Sequence, residues 1–292
     1  EQASEVSETS AGTESLVKQT LVSRRGVLGL LLGGIGGFFL GRTLPQLEDD
    51  PGGADLGLRY HEWSKVDAST VVEGLTDWGG RPESYKTYPD ADRVRLPPPA
   101  LGSDLGALAA IEQRRSIRGY PGGPMTVGEL STLLYSTDGI NLERGGLALR
   151  ASPSAGALYP VETYVISHTV EGVPPGLYHY ALRDHALERL SSGDLRQESV
   201  RLGMMQGFLG EADVVIVLTA IFQRLRWRYR RRSYRYALLE AGHIGQNVYL
   251  ASTAMGFGAC AVGAFLDGGL NRLLGVDGLD EAALYMIPVG RV

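Results

Sequence analysis

The sequence predicts an α+β domain, and three observations carry that reading. Residues 234–255 read as about six helical turns, apolar almost all round and closed by Gly256. Apolar runs of strand length recur at 161–167, 213–220 and 283–289. The elements between them are uneven, unlike the steady alternation of a parallel βαβ sheet.

In chain order, residues 1–22 are rich in Ser, Thr and Glu and read as a disordered polar tail. Arg24-Arg25 then abuts an uncharged run, Gly26 to Gly41, with seven glycines. That run is shorter than the roughly 20 residues a spanning helix prefers, and its glycines disfavour a buried helix. Residues 23–42 resemble a twin-arginine export signal. No A-x-A cleavage site follows, and the expectation is an extracytoplasmic protein that uses the twin-arginine export machinery, with the segment either cleaved or kept as a membrane anchor. Without the signal the protein would be cytoplasmic.

Residues 43–100 read as a linker rich in Pro and Gly. Its aromatics Tyr60, Trp63, Trp78, Tyr85 and Tyr88 suggest that part of it drapes over the domain at 101–292. Asp104 to Gln113 reads as a helix with Leu105, Leu108 and Ile111 on one face. Thr126 to Tyr135 reads as another, opened by a Thr126/Glu129 capping box. Val161 to Ser167 is a strand. Leu177 to Tyr180 and Ala186 to Leu190 suggest a hairpin around Arg183-Asp184. Asp194 to Phe208 reads as helix, Asp213 to Ala220 as a buried strand, and Ala283 to Val289 as the last strand.

The 292 residues carry 28 basic and 33 acidic side chains, a net charge of −5 that offers little to nucleic acid. All three lysines (Lys18, Lys65, Lys86) precede residue 100. The C-terminal domain therefore has no lysine for a Schiff base or a Walker A loop. The single cysteine, Cys260, excludes an intrachain disulfide and a cysteine-rich zinc site. His61-Glu62 opens like HExxH but ends in Lys65, and the histidines are scattered, so no metal site is expected.

Four constellations remain. Arg114-Arg115-Ser116-Ile117-Arg118 is either an anion site, since guanidinium forks suit phosphate oxygens, or a solvated helix end. Ser152-Pro153-Ser154-Ala155-Gly156-Ala157-Leu158-Tyr159-Pro160 offers small side chains and free N–H groups to a flat ligand. It is not a nucleophile elbow, because it precedes a strand and lacks Asp and His partners. Gly256-Phe257-Gly258-Ala259-Cys260-Ala261 mimics GxGxxA but follows a helix, so it reads as a glycine cap with close-packed backbone. Residues 222–236 interleave seven arginines with aromatics. They are a solvated face with inward aromatics or a wall of the active site.

In this order the motifs resemble the nitroreductase-like FMN oxidoreductases, and within them the SagB-type dehydrogenases that include the thiazole/oxazole azoline oxidases. The resemblance covers residues 60–292 and is strongest at Leu239-Glu240-Ala241-Gly242-His243-Ile244-Gly245-Gln246-Asn247 and Pro288-Val289-Gly290-Arg291. It implies an antiparallel sheet flanked by helices, a homodimer, and FMN at the subunit interface. Arg114, Arg115, Ser116 and Arg118 would hold the phosphate and ribityl chain, with Arg291 a further phosphate cation and Gln246 at the cofactor. Pro153, Ser154, Ala155, Gly156 and Ala157 would reach the flavin from the partner subunit. The backbone of Cys260, Ala261, Val262 and Gly263 would lie near the ring, where an N–H can bond N5.

The resemblance also implies hydride transfer through flavin N5 between a small organic substrate and NAD(P)H, a quinone or a redox protein. Azoline dehydrogenation on a modified peptide is the alternative. Azoline oxidases place a Lys-Tyr pair where this chain has Arg228-Tyr229. Arginine stays protonated and cannot be a general base, which leaves Tyr229 to move a proton. A flavin-free binding or scaffold module is the reading from another class.

Overall fold

The computed structural model describes residues 55–66 and 80–292. The polar tail, the export-like segment and Trp78 lie outside the described residues. The chain divides into two compact units, residues 1–59 and 60–292. In the first, Asp55 accepts from the Gly57 N–H (2.8 Å) and starts helix α1 (Leu56–Trp63).

The second unit continues with β1 (Asp92–Arg95), α2 (Ala107–Gln113), β2 (Met125–Thr126), α3 (Val127–Asp138), β3 (Ile140–Arg144) and β4 (Leu147–Arg150). Then come β5 (Val161–Ser167), β6 (Val170–Glu171), β7 (Gly176–Ala181), β8 (Ala186–Ser192), α4 (Arg196–Leu202), α5 (Phe208–Glu211) and β9 (Val214–Ile221). The last elements are α6 (Phe222–Tyr229), α7 (Ser233–Ala254), β10 (Phe257–Ala259), α8 (Asp267–Leu274) and β11 (Glu281–Arg291). Seven strands form one antiparallel sheet in the order β1-β8-β7-β5-β9-β11-β10.

Strands β5 and β9 are buried along almost their whole length because both faces of the sheet are covered. Successive side chains point to opposite faces. Val214, Ile216 and Leu218 enter one core with Leu130 and Leu134 of α3 and Ile244 and Val248 of α7. Val215 and Val217 enter the other, with Leu202 of α4, Leu209 of α5 and Leu270 of α8. The result is three layers, helix on sheet on helix. Edge strand β1 reads DRVR, with Arg93 bound to Asp184 and Glu188 and Asp92 to Arg189. The other edge, β10, has three residues.

The structure agrees with the sequence at the Thr126/Glu129 capping box, at Val161–Ser167 and in the α+β class. It differs in four places. The stretch read as linker supplies β1, whose residues pair with 186–189. The helix expected from Asp104 starts at Ala107, because Ser103 ties down a turn by bonding the Leu105 N–H and the Ala254 carbonyl. Its Leu108 and Ile111 are exposed, not turned to the core. The helix expected over 194–208 is broken into α4 and α5. Gly203 lies against Leu209, and Met204 and Met205 take positive φ (55° and 63°) to turn the chain. Helix α7 buries one face through Ala237, Ala241, Ile244 and Val248, while Leu238 and Leu239 stand exposed.

Candidate active site

The sequence-predicted residues gather at two places along α7. The first lies near its C-terminal end. After α2 the chain runs beside β10, with Ser116 bridged in parallel to Ala259 and the Ile117 N–H donating to the Ala259 carbonyl (2.9 Å). Gly258 permits this approach, since a Cβ there would lie 2.6 Å from Ile117. Tyr249 of α7 ties the strands together. Its hydroxyl accepts from the Ala261 N–H (2.7 Å) and bonds Ser116 Oγ (3.0 Å), and Arg114 lies over its ring at 5.1 Å.

Arg114 is half-buried, and Arg115, Ser116 and Arg118 are exposed. Among the described residues none of these three arginines pairs with a carboxylate. They differ in freedom, however. Arg115 donates to the Glu112 and Arg114 carbonyls (2.8 and 2.7 Å) and so caps α2, whereas Arg118 lies over Phe208 at 5.9 Å. The guanidinium of Arg291 is held by both Glu129 oxygens (2.8 Å each) and stacks over Phe257 at 4.7 Å. That contact helps to hold the Glu129 carboxyl below the usual range: burial opposes the shift, but the Thr126 N–H and Arg291 outweigh it. Three of the four candidate N–H groups after β10 are already committed. Cys260 donates to Pro288, Ala261 to Tyr249 and Val262 to Met286. Gly263 is exposed, and its N–H has no partner among the described residues. Gln246 is exposed on α7, one turn before Tyr249.

The second place lies at the other end of α7. Ala155, Gly156 and Ala157 form a short 3-10 turn after Pro153 and Ser154, and Gly156 has φ +62°. A Cβ on Gly156 would meet the Tyr229 hydroxyl at 2.6 Å and Arg228 at 3.3 Å. The loop and the Arg228-Tyr229 pair, 72 positions apart in the chain (228 − 156), are therefore in contact. Tyr229 packs edge-on against Tyr236, ring centroids 4.9 Å apart. Residues 228–232 and Tyr236 line a cavity of about 260 Å³ with Ser64 and Val66. Within 222–236, buried Phe222 stacks on exposed Tyr234, and Arg228 and Tyr229 face the loop.

Several important side chains have no role read from the sequence, although Glu240 falls within the run 239–247. Glu240 of α7 is 2% exposed, and neither carboxylate oxygen has a hydrogen-bond partner. Burial pushes its carboxyl up to about 8; the neighbouring Ser154 pulls it back and Asp138 adds to the rise. It therefore holds its proton at neutral pH. Under the sheet, His179 sits between Glu162 and Glu188, at 3.0 Å from each. Arg224 binds Glu162 (2.5 Å) and the Tyr159 carbonyl (2.9 Å), which fixes the end of the loop. The visible signal was a glutamate inside the apolar run VETYVIS, which demands a buried partner.

Glu240 and Tyr249 mark the two places. Nine residues of helix separate them, roughly 14 Å along the axis. Within one chain the arginine cradle and the 153–157 loop thus stand about two and a half turns of α7 apart.

With this geometry in view, comparisons with known proteins become informative. The model of the Nitroreductase family matches residues 111–291. The chain is 37% identical over 179 residues to the nitroreductase-type protein MJ1384 of Methanocaldococcus jannaschii, covering 61% of this chain and 87% of that one. It is 30% identical over 148 residues to the microcin B17-processing protein McbC of Escherichia coli, covering 48% and 54%. A nitroreductase-type crystal structure from Anabaena variabilis aligns with a TM-score of 0.64 at 30% identity, over 80% of this chain and 45% of the other. The chain thus spans about half the length of two of these relatives.

Proposed function

This chain belongs to the nitroreductase family, and on that premise we propose that it is an FMN-dependent oxidoreductase acting on a small organic substrate. The observation that carries the reading is the cradle beside β10. Among the described residues Arg114 and Arg118 have no carboxylate partner, Ser116 is bridged to Ala259 of that strand, and the Gly263 N–H follows four residues after the strand ends. That donor set fits an organic phosphate with a polar chain: guanidinium forks for the phosphate, a hydroxyl for the chain, a backbone donor for the ring. When bound, FMN supplies two-electron chemistry that the chain's own side chains cannot.

The chain's residues bind, orient and exclude water. Tyr249 fixes Ser116 and the backbone at Ala261, so that the cradle and the Gly263 donor keep a set spacing. Glu240 holds a proton beside Ser154, and Arg224 pins the same loop at Tyr159. Tyr229, against Gly156, is the hydroxyl placed to pass a proton to a substrate lying on that loop. A second chain completes the pocket by bringing its 153–157 loop to this cradle. The separation of the two places along α7 supports that arrangement. NAD(P)H, a quinone or a redox protein serves as electron partner.

The test is direct. Full-length protein purified without added cofactor is expected to be yellow, and heat should release FMN rather than FAD or riboflavin. A colourless protein that takes up no FMN overturns the reading. Gly263→Pro deletes the free N–H; the expected result is a loss of bound flavin or a more negative midpoint potential. Gly263→Ala keeps the N–H, and its Cβ meets nothing closer than Tyr285 at 3.9 Å, so it should behave as wild type.

Azoline dehydrogenation is a second reading, favoured by the contact of Tyr229 with Gly156 and by the likeness to McbC. Arg228 cannot serve as its base. A gain of activity on a thiazoline peptide in Arg228→Lys would support it.

A further inference from the structure

A second cluster of arginines lies outside the flavin cradle. Hairpin β3–β4 turns at Gly145 and Gly146, both with positive φ (58° and 78°), and folds over the loop that precedes β5. The space between the hairpin, residues 81–85 and the turn after β7 is a cleft of about 290 Å³. Arg81, Arg144, Arg150 and Arg183 line it, with Tyr85 and Tyr159. Glu143 is the one acidic side chain among the lining residues.

The four cations are held differently. Arg150 forms the built part: its side chain is 3% exposed, it binds Asp138 (2.8 Å), and its ring neighbour Tyr159 lies at 4.4 Å. One of its donors, Nε, is buried without a hydrogen-bond partner. Arg183 lies over Tyr85 at 5.2 Å, and Arg81 donates to the Ala157 carbonyl at 3.4 Å. Among the described residues Arg81, Arg144 and Arg183 have no carboxylate partner. Asp138 answers Arg150, and Glu143 answers at most one of the rest. Three like charges facing one concave space repel one another, and an anion relieves that repulsion. Guanidinium forks over aromatic rings suit planar or tetrahedral oxyanions.

We propose that this cleft binds a small multivalent anion, a phosphate or dicarboxylate group, as the anionic end of the molecule that reacts at the flavin. The placement supports this role, because Ala157 and Tyr159 belong to the loop assigned to the flavin. The inference rests on the proposed function for its purpose, though not for the binding itself. A volume near 290 Å³ takes a compact group and not a whole dinucleotide.

The experiment is calorimetric titration of the full-length protein, saturated with FMN, at low ionic strength. Inorganic pyrophosphate and succinate are the two probes, and the one that binds identifies the class. Arg144→Ala and Arg183→Ala alter exposed side chains, and each is expected to weaken the binding probe by about tenfold or more. Arg114→Ala is expected to leave it unchanged once FMN is replenished. The proposal is overturned if neither probe binds. It is equally overturned if Arg144→Ala and Arg183→Ala bind as wild type, or if only Arg114→Ala loses binding, which would place the ion in the flavin cradle. A protein that takes up no FMN but still binds a probe through Arg144 and Arg183 separates the two readings: the cleft stands and the flavin assignment falls.

Discussion

Replacing Arg114 and Arg118 together by alanine is expected to strip FMN from the purified protein. Each guanidinium would make charge-assisted hydrogen bonds to phosphate, worth about 1.5–3 kcal/mol apiece. Loss of both weakens binding by roughly 10²- to 10⁴-fold, read as the dissociation constant for added FMN by fluorescence quenching. The fold should survive, because neither side chain has an ion-pair partner to orphan among the described residues. Arg115 provides the contrast. Its guanidinium is spent on the Glu112 and Arg114 carbonyls, so Arg115→Ala should disturb the end of α2 and leave FMN affinity within a few-fold of wild type. A double variant that keeps its flavin, or an Arg115 variant that loses it, would refute the cradle.

The second large effect concerns stability. Glu240→Gln is expected to stabilise the protein at pH 8 and change little at pH 5. In the unfolded chain a glutamate ionises in its ordinary range near 4.5; in the fold burial keeps Glu240 protonated to about 8. The folded state therefore binds this proton more tightly. The associated stability is complete below the unfolded pKa and drains away as pH rises through the folded one. By pH 8 the cost is on the order of a few kcal/mol, at 1.36 kcal/mol per pKa unit. Glutamine is uncharged at every pH and avoids it. The measurement is the difference in Tm between variant and wild type from pH 5 to 8. Taking the difference removes other titrating groups, such as Glu162, whose carboxyl His179 and Arg224 hold down against the effect of burial. A difference that stays flat over that range would show that Glu240 is ionised in the fold.

Much of the architecture was legible in the sequence because local chemistry and tertiary need agreed. Strand β5 has the bounds read from VETYVIS. The Thr126/Glu129 box opens α3 as read, since a cap depends on four residues and nothing distant. Two of the misreadings share one cause: the deciding contact is not local in the chain. DRVR resembles linker until 186–189 pairs with it. Leu105, Leu108 and Ile111 look like a core face, yet among the described residues nothing covers Leu108 and Ile111. The site divides in the same way. RRSIR and SPSAGALYP stand out as motifs, and the structure puts the second against Arg228 and Tyr229. Neither Tyr249 nor Glu240, although Glu240 lies in the 239–247 run, could be given a role from the sequence, because a tyrosine on a long helix and a glutamate beside leucines acquire their roles only from what packs on them.

The margins of the sheet carry a further consequence. One ends in four residues, of which Asp92 and Arg93 are already ion-paired within the chain, and the other in only three residues. Neither offers an extended rack of bare amide groups on which a neighbour could crystallise as another strand. Growth of such protein into fibrils by sheet extension is therefore discouraged at both borders.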